Sequence, residues 1–233
     1  EEYGGIGADF LYSVVINEEI SKLGLTGIGW GLHTEIVAPY IEHNGSEVLK
    51  QKYLPKMVTG EMIGAIAMTE PGAGSDLQGV KTTAVKDGDH YVLNGSKTFI
   101  TNAVYGDMTI IAAKTDPDNK YVITMFLVPA DTEGFTVANK LDKHGWRCSD
   151  TAELVLDDVW VPDTAVLGTV HRGFHETMKN FQNERMVLVG MGIGSAQAAI
   201  NLTSEYVANR PAFGGHLSDL GAIRQRMAMN QAK

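Results

Sequence analysis

The sequence predicts an α+β chain: a helical N-terminal part, a central antiparallel β-sandwich or barrel, and a helical C-terminal part. Two observations predict it. Apolar residues recur at three- and four-residue steps in residues 1–60 and again from Gly173 onward. Between Met62 and Pro162 that period gives way to short apolar runs separated by Gly, Asp, Asn and Pro, the spacing of a strand-rich domain. The expected segments are 1–60, 61–168 and 169–233.

In the first segment, residues 9–23 carry apolar Phe10, Val14, Val15 and Ile20, with Glu18, Glu19 and Lys22 between them. Gly24 ends the run as a C-terminal helix glycine does. A glycine-rich stretch follows at Gly27, Gly29 and Gly31. A second helix is expected over 33–43. A third starts at Ser46, a favourable cap with Glu47 in the first turn, and runs through Lys56.

In the second segment, 62–68 is a short buried run. Residues 82–86 and 90–93 flank Asp87-Gly88-Asp89, a hairpin signal, and Asn94-Gly95 marks a further turn. Strands follow over 109–113, 121–128, 135–137 and 153–161, with Pro129 and Pro162 at strand ends. In the third segment Phe174, Met178, Phe181, Arg185 and Leu188 keep helical spacing. That helix runs to Asn209 and stops at Arg210-Pro211, because proline disfavours helix in the residue before it. Gly190, Gly192 and Gly194 each cost a helix about 1 kcal/mol relative to alanine. Three of them predict the close approach of another helix.

Bulk properties exclude some functions. Hydrophobic residues make up 44% of the 233 residues and charged residues 20%, ordinary for a globular chain. A net charge of -9 argues against broad nucleic-acid binding. The single cysteine, Cys148, excludes an internal disulfide and fits a reducing compartment. No apolar run is expected to approach the length of a membrane span, and no signal peptide opens the chain. Glu1 to Gly5 read as the middle of a loop and 227–233 as an unfinished helix, so both ends read as cut. His33, His43, His144 and His171 lack metal-ligand spacing with each other or with Cys148. Gly190-x-Gly192-x-Gly194 is no dinucleotide fingerprint, since no strand precedes it, and the methionines read as core filler.

The densest chemical signal is Ala67-Met68-Thr69-Glu70-Pro71-Gly72-Ala73-Gly74-Ser75-Asp76. A strand ends there in a turn rich in Gly and Pro, with backbone N–H groups and hydroxyls able to approach a flat or anionic ligand. On composition alone a plain surface turn is the favoured reading, since Pro-Gly turns are common. Three further segments are Asn94-Gly95-Ser96-Lys97-Thr98-Phe99-Ile100-Thr101-Asn102, Arg147-Cys148-Ser149-Asp150-Thr151 and Arg210-Pro211-Ala212-Phe213-Gly214. All four, in this order, resemble the motifs of the acyl-CoA dehydrogenase family. Ile63-Gly64-Ala65-Ile66-Ala67 and Asp76-Leu77-Gln78-Gly79 look most like its long-chain branch.

The resemblance implies a helical N-terminal domain, a central β-domain and a four-helix C-terminal bundle, here truncated. It implies FAD as cofactor, an acyl-CoA substrate of medium or long, possibly branched, chain, and a place in fatty acid β-oxidation. It also implies electron-transfer flavoprotein as electron acceptor, a homotetramer or homodimer, and bacterial cytoplasm or mitochondrial matrix as location. By the same resemblance Met68 and Thr69 lie along the flavin, Phe99 packs on one of its faces, and Thr101 bonds near N5. Ser75 and Ser149 contact the substrate's CoA arm. Arg210 and Phe213 reach the FAD of a neighbouring subunit, where an arginine suits a pyrophosphate. From the residues alone, Phe99 and Thr101 equally read as alternate positions of a half-buried strand, and Arg210 as a solvated helix-end charge.

Removing the α-proton of an acyl thioester requires a base. A carboxylate serves if a dry site raises its pKa toward the working pH. In many relatives this Glu lies in the part of the C-terminal domain absent here. In the long-chain and isovaleryl branches it stands in a Glu-Arg pair on the first long C-terminal helix, which matches Glu184-Arg185. Glu184 is therefore the expected base, with Arg185 beside the substrate. A helix-surface role for Glu184 is the alternative. Gly221 departs from the family pattern, which usually carries a Gln there and with it a dinucleotide contact. Two rivals stand beside a dehydrogenase: an acyl-CoA oxidase, and a non-catalytic acyl-CoA-binding relative.

Overall fold

The protein is described from a computed structural model covering residues 1–25, 27–116, 118–119 and 122–232. Tyr121, the expected start of a strand, and Lys233, in the expected last helix, lie outside the described residues. The chain divides into two compact units. One comprises Glu1–Ala8 and Gly27–Glu184, the other Asp9–Thr26 and Arg185–Lys233.

The larger unit begins with a π-helical turn, Gly31–Val37, that runs straight into helix α2, Ala38–Asn44, and then α3, Glu47–Thr59 (α1 belongs to the smaller unit). The second helix thus starts two residues earlier than the apolar period predicts, in a wider coil. Such π segments recur at functional sites. The Ser46 cap holds as read: its side chain accepts from the Leu49 N–H, and Gly60 closes α3 in the left-handed region at φ 76°.

Eight strands follow: β1 Gly64–Ala67, β2 Thr83–Asp87, β3 His90–Thr101, β4 Met108–Lys114, β5 Ile123–Pro129, β6 Phe135–Lys140, β7 Thr151–Pro162 and β8 Val166–Leu167. They form one sheet in the order β6-β7-β3-β2-β4-β5-β8, with β1 paired parallel to β4. The sheet is otherwise antiparallel, apart from a single parallel pair, Thr83 with Lys114. Strands β4 and β5 are covered on both faces, which is why their sequences read as unbroken apolar runs. Ile111, Ala113, Phe126 and Val128 enter a core with Leu93, Leu154 and Val159 of β3 and β7. Met108, Ile110, Met125 and Leu127, of opposite parity, pack on Val37, Tyr40, Ile41 and Met57. The sheet and the helices before it therefore share β4 and β5 as a common wall.

One expectation in this unit is corrected. Asn94-Gly95 is not a turn. It lies inside β3, where the register against β7 shifts between Leu93 and Gly95. The Asn94 amide donates to Asp158 Oδ1 and its oxygen accepts the Asp158 N–H, both at 2.9 Å. A dipeptide typical of two-residue turns here closes a β-bulge. The true hairpin is the expected one at Asp87-Gly88-Asp89, with Asp87 paired to His90.

In the smaller unit α1, Phe10–Lys22, is capped by Asp9, whose side chain accepts the Leu11 N–H at 2.8 Å. It ends as predicted at Gly24: Gly24 at φ 69° donates to Ser21, and Leu25 donates to Ile20. The long helix α4, Gly173–Asn209, ends at Arg210-Pro211 as the sequence requires. Its 185–209 portion belongs to this unit. The predicted helix contact exists at Gly190, where an added Cβ would lie 2.8 Å from the Val14 carbonyl oxygen, and at Gly194, where it would strike that of Glu18. Gly192 faces open space. A short hairpin, β9 Pro211–Ala212 and β10 Gly215–His216, leads to α5, Gly221–Ala232. The expectation of no span-length apolar run is also corrected. By length and composition α4 could cross a membrane, since no charged residue stands between Arg185 and Glu205.

Candidate functional site

The first two motifs meet through a buried ion pair. Lys97, with no exposed side-chain surface, donates to Glu70 Oε1 at 2.9 Å and to the carbonyls of Ala112 at 2.7 Å and Met68 at 3.2 Å. Glu70 in turn accepts the backbone N–H of Lys81 at 2.6 Å and of Thr82 at 3.0 Å. Burial by itself pushes the Glu70 carboxyl up. The Lys97 charge and these donors outweigh it and hold the carboxyl below the usual range. Burial likewise lowers Lys97, against the pull of Glu70. The Thr98 N–H donates to the Thr69 carbonyl at 3.0 Å, so the end of the first motif lies directly on the second.

Phe99 stands on this junction. The register of β3 against β7 shifts again between Lys97 and Ile100. Lys97, Thr98 and Ile100 are buried, whereas Phe99 is 67% exposed at φ 60°. Plain strand alternation is therefore overturned for Phe99: a bulge turns the ring outward in a conformation costly for a bulky residue. Thr101, half-buried, follows opposite Thr151 of the third motif. Asn102, at φ 64°, donates to the Gly64 carbonyl at 3.3 Å. The glycine-rich stretch seals this edge. A Cβ on Gly29 would lie 2.8 Å from Asn102 Oδ1, and one on Gly27 would lie 3.0 Å from Cys148 Cβ. Met68, Thr69, Phe99, Thr101 and the third motif are thus brought together in one region of the larger unit.

Ser149 is buried and lines a cleft with Lys140, Lys143 and Arg147. Ser75 sits exposed in the loop after Glu70, where Asp76 caps the next turn by accepting the Gln78 N–H. Arg210 and Phe213 lie in the smaller unit. Arg210 is exposed and anchored through its backbone to Tyr206 and Leu217. Phe213 and Gly214 are the two loop residues of the β9–β10 hairpin, at φ 53° and 82°, and Phe213 is 91% exposed.

Glu184 is buried on α4. The Asn180 amide donates to its Oε1 at 3.0 Å and also to the Ile36 carbonyl in the π-helical turn at 3.3 Å. Tyr40, fully buried, faces the same group. Arg185, next along the helix, is exposed. The reading of Glu184 as a helix-surface acid does not fit its burial.

Sequence reasoning passed over Glu70, Lys97, Tyr40, Asn180 and Trp146. Trp146, like Phe99 and Phe213, is an exposed aromatic at positive φ. Glu70 and Lys97 stand inside the quoted motifs, and one acid and one base in these two largely apolar segments was the available signal.

Comparisons with known proteins agree along the chain. Family models match in order: acyl-CoA dehydrogenase N-terminal domain at residues 1–61, middle domain at 65–159 and C-terminal domain at 171–233. The chain belongs to the acyl-CoA dehydrogenase family. It is 41% identical over 231 residues to the mitochondrial long-chain specific acyl-CoA dehydrogenase of Sus scrofa, covering 98% of this chain and 54% of that protein. It is 43% identical over 239 residues to the mitochondrial isovaleryl-CoA dehydrogenase of Bos taurus, covering 97% and 54%. Its structure matches the acyl-CoA dehydrogenase of Geobacillus kaustophilus with a TM-score of 0.95 and 49% identity, over 99% of this chain and 62% of that one. The chain spans about half the length of the curated relatives it matches. As an acyl-CoA dehydrogenase family member it carries the expected α+β plan of helices, a mostly antiparallel sheet and a long C-terminal helix.

Proposed function

We propose that this chain is the larger part of an FAD-dependent enzyme that desaturates acyl-CoA thioesters between the α and β carbons, giving trans-2-enoyl-CoA. The observation that carries the reading is Glu184, a buried carboxylate held by Asn180 on the helix where the family resemblance implies the base. Glu184 takes the α-proton. Burial keeps water from competing for that proton, and the Asn180 amide fixes which carboxylate oxygen faces outward.

The residues present fit a flavin. Phe99 offers an exposed ring at a strained bulge, beside the strand end of Met68 and Thr69, and Thr101 supplies a hydroxyl two residues on. A bound flavin supplies a two-electron acceptor for the β-hydride. Ser75 and the cleft at Ser149 hold the CoA arm, Arg185 lies beside the substrate, and Arg210 and Phe213 reach the FAD of a neighbouring subunit in a homotetramer or homodimer. Domains 1–60, 61–168 and 169–233 carry these parts. Electrons leave to an electron-transfer flavoprotein. The substrate is a medium or long, possibly branched, acyl chain, and the compartment is bacterial cytoplasm or mitochondrial matrix.

The test is anaerobic addition of a long-chain acyl-CoA to the FAD-loaded full-length protein. The flavin band is expected to bleach, and Glu184→Gln to slow bleaching roughly 10²- to 10⁴-fold with FAD retained. Undiminished bleaching by Glu184→Gln would remove the assigned base. A full-length protein that binds no flavin would leave the binding relative as the correct reading. Rapid reoxidation by dissolved oxygen, with no other acceptor, would favour the oxidase.

A further inference from the structure

Tyr40 is fully buried, and its hydroxyl makes no hydrogen bond among the described residues. An unpaired buried hydroxyl costs stability and calls for a reason. Its surroundings supply one. Asn180 donates to the Ile36 carbonyl, one turn before Tyr40, and to Glu184, one turn further along α4. Glu184, Asn180 and Thr177 are the groups close enough to act on the phenol. The Thr177 hydroxyl donates its hydrogen to the Gly173 carbonyl at 2.9 Å.

We infer that Tyr40 is a positioning residue for Glu184: its hydroxyl is held in reserve as a second donor that turns to the carboxylate when Glu184 is ionised, beside the one Asn180 supplies. The inference rests on the reading of Glu184 as the base. Burial, with the Glu184 charge adding to it, raises the phenol's pKa, so Tyr40 stays protonated and remains a donor throughout the working range. The charged group that acts on the phenol is Glu184. The wide π-helical turn before α2 sets where Tyr40 stands, since it fixes the rotation at which α2 begins.

A donor to a carboxylate favours the ionised form and lowers its pKa. Removing the hydroxyl therefore raises the pKa of the base, and the acid limb of kcat/KM moves to higher pH. The test uses the FAD-loaded full-length enzyme carrying Tyr40→Phe, which deletes one oxygen and no packing. The expected result is an acid limb shifted up by about one pH unit, with FAD content unchanged and a melting temperature equal to or above that of the parent. An acid limb unmoved in Tyr40→Phe overturns the inference. So does a marked fall in melting temperature, because the hydroxyl would then have a structural partner. Glu184→Gln, measured alongside, separates the two ideas. If it retains turnover, the base assignment fails. If it is inactive while Tyr40→Phe keeps the parent profile, only the role of Tyr40 fails.

Discussion

Lys97 and Glu70 face each other 2.9 Å apart inside the sheet, and between them they tie four backbone groups of separate segments. Lys97 holds the carbonyls of Met68 and Ala112, and Glu70 holds the N–H groups of Lys81 and Thr82. Removing one partner leaves a buried charge without its counter-ion. Glu70→Gln is expected to cost about 3–5 kcal/mol in urea unfolding. The double variant Glu70→Gln, Lys97→Met should recover part of that loss. A double variant no more stable than Glu70→Gln would mean that the unpaired Lys97 charge is not the source of the loss.

The same pair makes stability depend on pH. The Glu70 carboxyl is held below its unfolded value, so its contribution is complete above the unfolded pKa and is lost as pH falls through the lower folded one. The unfolding midpoint should therefore drop as pH falls through and below the ordinary carboxylate range. In Glu70→Gln that stretch of the curve should be flatter. Parallel curves for parent and variant would assign the acid sensitivity to other carboxylates.

Phe99 offers a test of strain kept for function. Glycine accepts φ 60° freely, while phenylalanine does not. The relief of about 1 kcal/mol is offset by the greater freedom of glycine in the unfolded chain. Phe99→Gly should thus fold within about 1 kcal/mol of the parent, since little ring surface is buried. The loss should appear in FAD affinity, weakened about tenfold as the stacking face goes. Titration of the full-length apoprotein by flavin fluorescence measures it, and an unchanged Kd would deny Phe99 that role.

The legible parts of the fold were those set by local chemistry. The Ser46 cap, the Gly24 stop, the Asp87-Gly88-Asp89 hairpin and the end of α4 at Arg210-Pro211 are each decided within a few residues. What escaped depends on partners far along the chain. Asn94-Gly95 reads as a turn until Asp158, on another strand, occupies the Asn94 side chain. The bulge at Phe99 depends on β7 pairing. Burial of Lys97 depends on Glu70, and Asn180, which holds Glu184, is itself tied to the π-helical turn. The motifs pointed to the site region, whereas the pairs that hold it rigid had no periodic signature.

Asn94 therefore makes a measurable claim of its own. Both its amide atoms are committed to Asp158. Asn94→Ala should cost about 1–2 kcal/mol, two modest hydrogen bonds at a partly exposed position. Gly95→Ala should cost more, because its Cβ would lie 2.7 Å from the Thr82 Cα at φ 155°. If Asn94→Ala were neutral in chemical denaturation, the bulge would be held by the backbone alone.

The three alternate glycines of α4 carry opposite expectations, though the sequence makes them look alike. In an open helix, alanine is favoured over glycine by about 1 kcal/mol. Gly192 faces open space, so Gly192→Ala should stabilise by roughly that amount. Gly194→Ala must push against the Glu18 carbonyl, and Gly190→Ala against that of Val14. Both obstacles are backbone of α1, which cannot swing aside as a side chain would, so helix propensity is overcome and both variants should destabilise. Thermal melts of the three single variants decide the matter. A gain at all three would mean that α1 and α4 do not approach closely at those positions. A loss at Gly192 as well would place a further packed segment on the face of α4 that Gly192 presents.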